Sequence, residues 1–444
     1  MATAVIGAGV AGLVAAYELV KTGERPIIIE PSAPGGMLRS VQHDGFTLEA
    51  GPNVLVERPD VVQLFRELGL KDDVCYPAVQ PYGQFVWCDG EARKVPSGLG
   101  ELVRSSLFPW NIKLSLPGRL LLPGVIKPRA EDVSILEFFT PLIGAQVTRN
   151  LLDPVLKGIY GGDVAKLSAR SIFPGLWSAA EQGLSLLGYM RRRPRGGKPA
   201  IFVVRGGIQR IADALWARLK DNVDLIPARA ESIVRHDGGG YVVNCSNGEQ
   251  LSVESCIVSS AGASLAGLVK ELDKDLGSYI SAQQYASLTV VHFSVPRSEP
   301  LIKDAFGILF PGGMPENLLG VMFNSLIFPH VAPPDKHILT VIVGGAQAGD
   351  ARPDESQLRE QVPLLLKRYL GVGSAECLQV TQWPRAIPQL VVGHHKIVAE
   401  FDRVEAANPG LVFVGVDRGG IGVSDRVRLA KSGVERVRTV KNHG

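Results

Sequence analysis

Three glycines near the start of the chain carry the first readable chemistry. Gly7, Gly9 and Gly12 stand as G-x-G-x-x-G within VIGAGVAGL, directly after the apolar run Ala4, Val5 and Ile6. The first glycine allows a tight turn, the second lets backbone approach a pyrophosphate, and the third lets a helix pack closely on a strand. Val10 and Ala11 open the helix that follows, whose free N–H groups and positive dipole end would face the phosphates. Glu30 ends a second apolar run, Ile27, Ile28 and Ile29, where an acid accepts hydrogen bonds from a ribose. Strand, glycines, helix, strand and acid in this order predict a βαβ dinucleotide-binding unit. Just beyond, PSAPGGMLRS brings Gly36 and Arg39, and the arginine could reach a diphosphate held at that turn.

The elements that must position these residues follow along the chain. FTLEAGPNVL reads as a strand entering the turn Gly51, Pro52 and Asn53, and residues 84–95 alternate around Asp89-Gly90 as a hairpin. From residue 96 to about 198, helix-like segments replace strands. Within them SLFPWNIKLSLPGRLLLPGVIKPR interleaves Phe108, Trp110, Leu114 and Leu121 with Lys113, Arg119, Lys127 and Arg129. Such a mixture suits the headgroup–acyl boundary of a bilayer, and the competing reading is a helical core with solvated cations. The basic run from Arg191 to Lys198 could hold an anionic leaflet. Strands return near residue 200, among them one starting at Ala230. The chain ends on LVFVGVDRGGIGVSDRV, again strand, glycine-rich turn and helix, so that Gly422, Val423 and Ser424 offer a second helix start to the same ligand. Only one G-x-G-x-x-G is present. With a glycine-rich turn at the far end, this favours FAD, long enough to run from the first turn to the last, over NAD.

Composition bounds the rest. The 444 residues favour two or three domains. With 45% hydrophobic and 20% charged residues the chain is globular, and a net charge of +3 is too small to argue for nucleic acid. Five cysteines without a C-x-x-C point to free thiols rather than a disulfide framework or a metal site. No cleavable leader and no spanning helix are expected, which places the protein in the cytoplasm, held peripherally on the inner face of a membrane.

Together these motifs resemble the FAD-dependent protoporphyrinogen oxidases within the wider amine-oxidase-like flavoenzymes, over nearly the whole chain. GAGVAGL, Glu30, GGMLRS and the closing glycine-rich turn signal the superfamily. EAGPNVL, KGIYGGDVAKLSARSIFPGLW, VRGGIQRIADAL, FGILFPG, VMFNSLIFP and WPRAIPQLVVGHH signal the narrower family. The resemblance implies an α/β fold with a Rossmann-type, glutathione-reductase-like FAD-binding domain (residues 1–70, 201–262 and 385–444). An α+β substrate-binding domain (71–98 and 263–384) and a helical, membrane-associating domain (99–200) complete it. The implied cofactor contacts are Gly7, Gly9, Val10, Ala11, Gly12, Glu30, Gly36, Arg39, Gly51, Pro52, Asn53, Ala230, Trp383, Gly422, Val423 and Ser424.

The implied chemistry is removal of hydrogens from a porphyrinogen, with hydride passing from a meso carbon to flavin N5. Dioxygen or a quinone reoxidises the flavin, and the product is handed to a downstream chelatase. The cofactor carries the difficult chemistry, so an apolar slot is expected from Leu309, Phe310, Met322, Phe323, Leu326 and Phe328, with Leu309 and Phe323 sandwiching substrate rings. Gly161 matches a glycine whose backbone carbonyl lies near the reacting edge, and no side-chain base is assigned. The family's plant-type members bind a substrate propionate with an arginine in this hairpin, where this chain has Gln84 or its neighbour, and the resemblance implies Gln84, Leu309, Met322 and Phe323 as substrate contacts. Arg58, Arg93, Arg385 and Arg418 are then the candidates for that task, and His394 is expected to be structural. Coproporphyrinogen, with more carboxylates, is the alternative substrate. Another amine-oxidase-like activity and a non-catalytic flavin-binding membrane protein are more remote, and a chain of this kind can form a homodimer.

Overall fold

Thr3–Ile6 is a fully buried strand with parallel partners on both sides. The computed structural model describes residues 2–80, 82–128, 130–192, 199–236, 238–349 and 353–443. In its parallel sheet the strands run Asp224–Ile226, Ile27–Ile29, Thr3–Ile6, Ser255–Val258, Leu411–Phe413. Burial on both faces explains why the three inner strands are continuous apolar runs rather than alternating ones. The helices Val10–Lys21, Gln209–Leu219 and Val423–His443 cover one face through Leu13, Val14, Ile211, Leu215, Val427 and Ala430. Gly262–Val269, Lys274–Ala282 and His394–Ala407 cover the other. Every strand of this sheet ends at the same rim, from which Gly7, Glu30, Ser259 and Val414 emerge. Ligands of open α/β sheets bind at that rim.

A second, mostly antiparallel sheet has seven strands. Their order is Glu376–Pro388, Tyr285–Pro296, Lys336–Gly345, Leu318–Met322, Ala305–Leu309, Gly83–Cys88, Glu91–Lys94. One face buries Val291, Ile308, Phe310, Val321 and Phe323 against Leu358 and Val362 of the helix Glu355–Leu370. The other face looks toward the first sheet and the helical segment. The chain leaves its strand at Met322, and Asn324–Ile327 is a short helix instead of further strand.

Residues 99–192 are helical, packed around Phe138, which stacks on Trp177 at 5.6 Å. Ser134 and Glu137 form a capping box at the start of Ile135–Ile143. Phe108, expected on a membrane-facing surface, is a core residue 5% exposed. Trp110, Leu114 and Leu121 of the helix Trp110–Leu121 are instead 67%, 78% and 58% exposed on one stripe. No helix among the described residues is long and apolar enough to cross a membrane. Arg129 and residues 193–198 of the basic run lie outside the described residues.

Candidate functional site

The glycine turn is built as its spacing demands. Gly7 has φ +95°, its N–H donates to Ile29 O at 2.9 Å, and Ser259 Oγ donates to Gly7 O at 2.8 Å. A Cβ on Gly12 would overlap the Gly7 carbonyl oxygen. Gly9 differs from both, because a Cβ there would meet no protein atom within 4 Å. It precedes the helix Val10–Lys21, and no side chain caps that helix start. Val10 and Ala11 thus present backbone N–H groups to open space beside Gly9, a cradle suited to a pyrophosphate.

Three segments close around it. Glu30 accepts from Ala8 N–H at 2.8 Å through Oε2 and from Ser32 through Oε1, fixing the acid beside the turn. Gly35 N–H donates to Ala8 O at 2.8 Å, and a Cβ on Gly36 would lie 3.1 Å from Gly9 Cα. Arg39 Nε donates to Gly36 O at 3.0 Å, and its guanidinium stands over the Trp383 ring at 5.7 Å. Trp383 Nε1 donates to Ala50 O at 2.6 Å, and Asn324 Nδ2 reaches Asn53 Oδ1 at 3.4 Å. The turn Gly51, Pro52, Asn53 is thereby fastened to the second sheet. Ala230 begins a separate antiparallel strand and is buried in the core beneath the first sheet.

The closing turn arrives at the same rim. Val414 N–H donates to Val258 O at 2.8 Å, and Ser424 Oγ donates to Val56 O at 2.7 Å. Asp417 and Arg426, neither singled out from sequence, hold the Gly419–Gly422 turn in shape. Arg426 is 6% exposed and donates to the carbonyls of Val414, Gly419 and Gly420. Burial lowers its pKa to about 10. Asp417 is fully buried and accepts from Gly262 N–H at 2.8 Å and from Tyr285 OH. Burial raises both the Asp417 carboxyl and the Tyr285 phenol. His394 Nε2 lies 3.1 Å from Asp417 O, a structural contact. Glu49, pushed up to about 7 by burial, accepts from Ser40 Oγ and Ile208 N–H and steadies the strand leading to Ala50.

Strand register then lays out the second sheet's inner face, because alternate residues share a face. One row crosses it as Gln84, Gly307, Met322, Thr340 and His292. The next runs Val86, Leu309, Gly320, Ile342, Val290 and Thr381, and a third holds Gly344, Leu288 and Trp383. Leu309, Met322, Ile342 and Leu288 are only partly buried, so a recess lies against them. The helix Asp153–Tyr160 caps it. Gly158 sits on Leu309, and Gly161, with φ +63°, presses on Ala286 and Leu288. The Gly161 carbonyl accepts from Ala346 N–H at 2.7 Å.

Phe323 does not join this face. It is fully buried with Phe310 on the far side, under the Glu355–Leu370 helix, so in this arrangement neither ring lines the recess. Ile342 instead stands in the Leu309 row of this face, and the alternation in TVIVGG could have found it. His292 was also missed. It is fully buried beside Thr340, neither ring nitrogen has a partner among the described residues, and burial lowers its pKa to about 4, leaving it neutral.

The sequence pattern of the flavin containing amine oxidoreductases matches residues 10–421. The chain belongs to that family. As a flavin containing amine oxidoreductase it is an oxidoreductase with FAD as cofactor, and the open space beside Gly9 fits the cofactor's pyrophosphate. The chain is similar to a coproporphyrinogen III oxidase of Bacillus subtilis, 26% identical over 97% of this chain and 96% of that protein. It is also similar to a chloroplastic protoporphyrinogen oxidase of Oryza sativa subsp. japonica, 28% identical over 93% and 82% of the two chains. A crystal structure from Exiguobacterium sp. 255-15, provisionally named a protoporphyrinogen oxidase, superposes with a TM-score of 0.82 at 21% identity, covering 98% of each chain. That last likeness establishes the flavoprotein fold.

Proposed function

We propose that the protein oxidises protoporphyrinogen IX to protoporphyrin IX, with oxidation of coproporphyrinogen III as the second reading. One observation supports a porphyrinogen above all: the inner sheet face beside Trp383 and Gly161 is broad and apolar. Leu309, Met322, Ile342 and Leu288 form its floor, and glycines at 307, 320 and 344 keep it low enough for a flat macrocycle. Gln84 in place of a cation favours the less carboxylated substrate, while the Bacillus subtilis relative's name favours the other.

FAD, when bound, supplies the electron acceptor, and dioxygen or a quinone takes the electrons onward. The residues of this chain supply position. The Leu309 and Met322 side chains hold one ring face, the Gly161 turn brings backbone instead of a side chain to the edge, and the apolar floor excludes water once the ring covers it. Neutral His292 and Thr340 add no charge beneath the ring. Anaerobic mixing with each porphyrinogen tests this. Protoporphyrinogen IX is expected to bleach the oxidised-flavin absorbance faster than coproporphyrinogen III, with porphyrin fluorescence appearing in step. Bleaching by neither overturns the reading.

The same reading includes a membrane surface as partner, supported by the exposed stripe Trp110, Leu114 and Leu121 with Lys113 4.5 Å over the Trp110 ring. Serine at all three apolar positions is expected to weaken liposome binding about a thousandfold or more, since burying each side chain contributes ~1.5–3 kcal/mol. FAD content should not change. Undiminished co-sedimentation with liposomes would exclude this stripe as the contact.

A further inference from the structure

We infer that a carboxylate arm of the substrate is held by Arg149, in a cavity behind Gly161. The inference rests on the porphyrinogen reading. Gln84, in the hairpin, carries no charge, and two of the other candidate arginines are already engaged. Arg93 pairs with Asp89 and Glu91, and Arg418 pairs with Asp402 and Glu405. Arg58 lies on a separate groove along the Pro59–Leu68 helix. Arg385 lies over the Tyr285 ring at 4.9 Å, within the field of buried Asp417.

Arg149 stands on a different footing. It borders a cavity of about 340 Å³ together with Asn150, Lys157, Asp163 and Gln347. Beyond Lys157, Gly312 and Gln347, the same walls continue as a narrow cleft reaching Gly161, Leu319 and Gly345. The cavity therefore shares its inner wall with the narrow cleft at the edge where the proposed reaction occurs. Arg149 belongs to a π-helical turn, Thr148–Leu152, inserted just before the helix that carries Gly161. Such turns re-aim side chains and recur at functional sites.

Hydrogen bonds account for the other charges. Lys157, 4% exposed, gives Nζ to Asp153 Oδ2 at 2.6 Å, and Asp153 also accepts from Gly312 N–H at 3.3 Å. Asp163 accepts from Ala165 N–H at 2.8 Å and from Gln347 Nε2 at 3.3 Å. Asn150 Oδ1 accepts from Gln146, which leaves the Asn150 amide N–H groups to donate. Arg149 has no ion pair or hydrogen bond among the described residues. A guanidinium fork beside free amide donors matches a carboxylate, and the Asp163 charge opposes one. The two charges therefore act on a carboxylate with opposite signs, which the test uses.

Equilibrium binding of coproporphyrin III and of its methyl ester, both in the same detergent micelles, is measured with the FAD-loaded protein. Arg149→Ala is expected to weaken the free acid roughly tenfold or more and to leave the ester unchanged. Asp163→Asn, which keeps the acceptor for Ala165 N–H, should tighten the free acid about two- to fivefold. Arg149→Lys should recover part of the loss. Unchanged free-acid binding in Arg149→Ala, or equal losses for acid and ester, overturns the inference while the porphyrinogen reading stands. A wild-type protein that binds neither porphyrin and is reduced by neither porphyrinogen overturns both.

Discussion

Gly9→Val is expected to give a folded protein without colour. At Gly9 the backbone is extended, φ −69° and ψ 179°, which any residue adopts, and a Cβ would meet no protein atom within 4 Å. The valine side chain therefore costs the polypeptide little. It does fill the space in front of the Val10–Lys21 helix start, where the pyrophosphate must lie against backbone N–H groups. FAD affinity should fall at least about a hundredfold, equivalent to roughly 3 kcal/mol, and the variant should melt where flavin-stripped wild type melts. Holo wild type would melt higher, because a ligand that binds only the folded state stabilises it. Gly12→Ala provides the contrast. Its Cβ would overlap the Gly7 carbonyl oxygen, so this smaller change should damage folding itself and be recovered mainly as aggregate. A yellow Gly9→Val protein would show that the pyrophosphate lies elsewhere.

That contrast also shows why the cofactor half was readable from sequence. Three glycines at fixed spacing do three separable mechanical jobs, and each job leaves its residue type in the chain. The substrate half leaves weaker marks. Which face of a strand looks inward depends on pairing register, and VMFNSLIFP contains no sign that its strand stops at Met322. Phe323 was thus expected in the slot on hydrophobicity and resemblance, yet it points into the core with Phe310. Trp110 and Phe108 show the same ambiguity two residues apart, one 67% exposed and the other 5%. Asp417 and Arg426 were invisible for another reason. Charged residues beside a glycine-rich turn look solvated until the burial of Tyr285 and the turn carbonyls around them is known.

Lys157→Met should be the most destabilising single change around the recess. Lys157 and Asp153 are one helical turn apart, their side chains 4% and 11% exposed, and they meet at 2.6 Å. Removing the ammonium leaves the Asp153 carboxylate buried with only the N–H groups of Val164, at 3.5 Å, and Gly312, at 3.3 Å. An uncompensated buried charge of this kind costs about 3–5 kcal/mol, which for a chain of this size is a fall in Tm of roughly 3–5 °C. Asp153 anchors the loop after its helix through Val164 and a loop of the second sheet through Gly312, so the damage should reach Gly161, the next turn along. Asp153→Asn combined with Lys157→Met removes both charges while an amide can still accept from Gly312 N–H. The double variant is therefore expected to recover most of the loss, with a coupling energy of about 2 kcal/mol or more. Differential scanning of the four proteins, all stripped of flavin, measures that coupling. Additive losses would mean that the two side chains stabilise the helix separately and that the pair does not lock Gly161 in place.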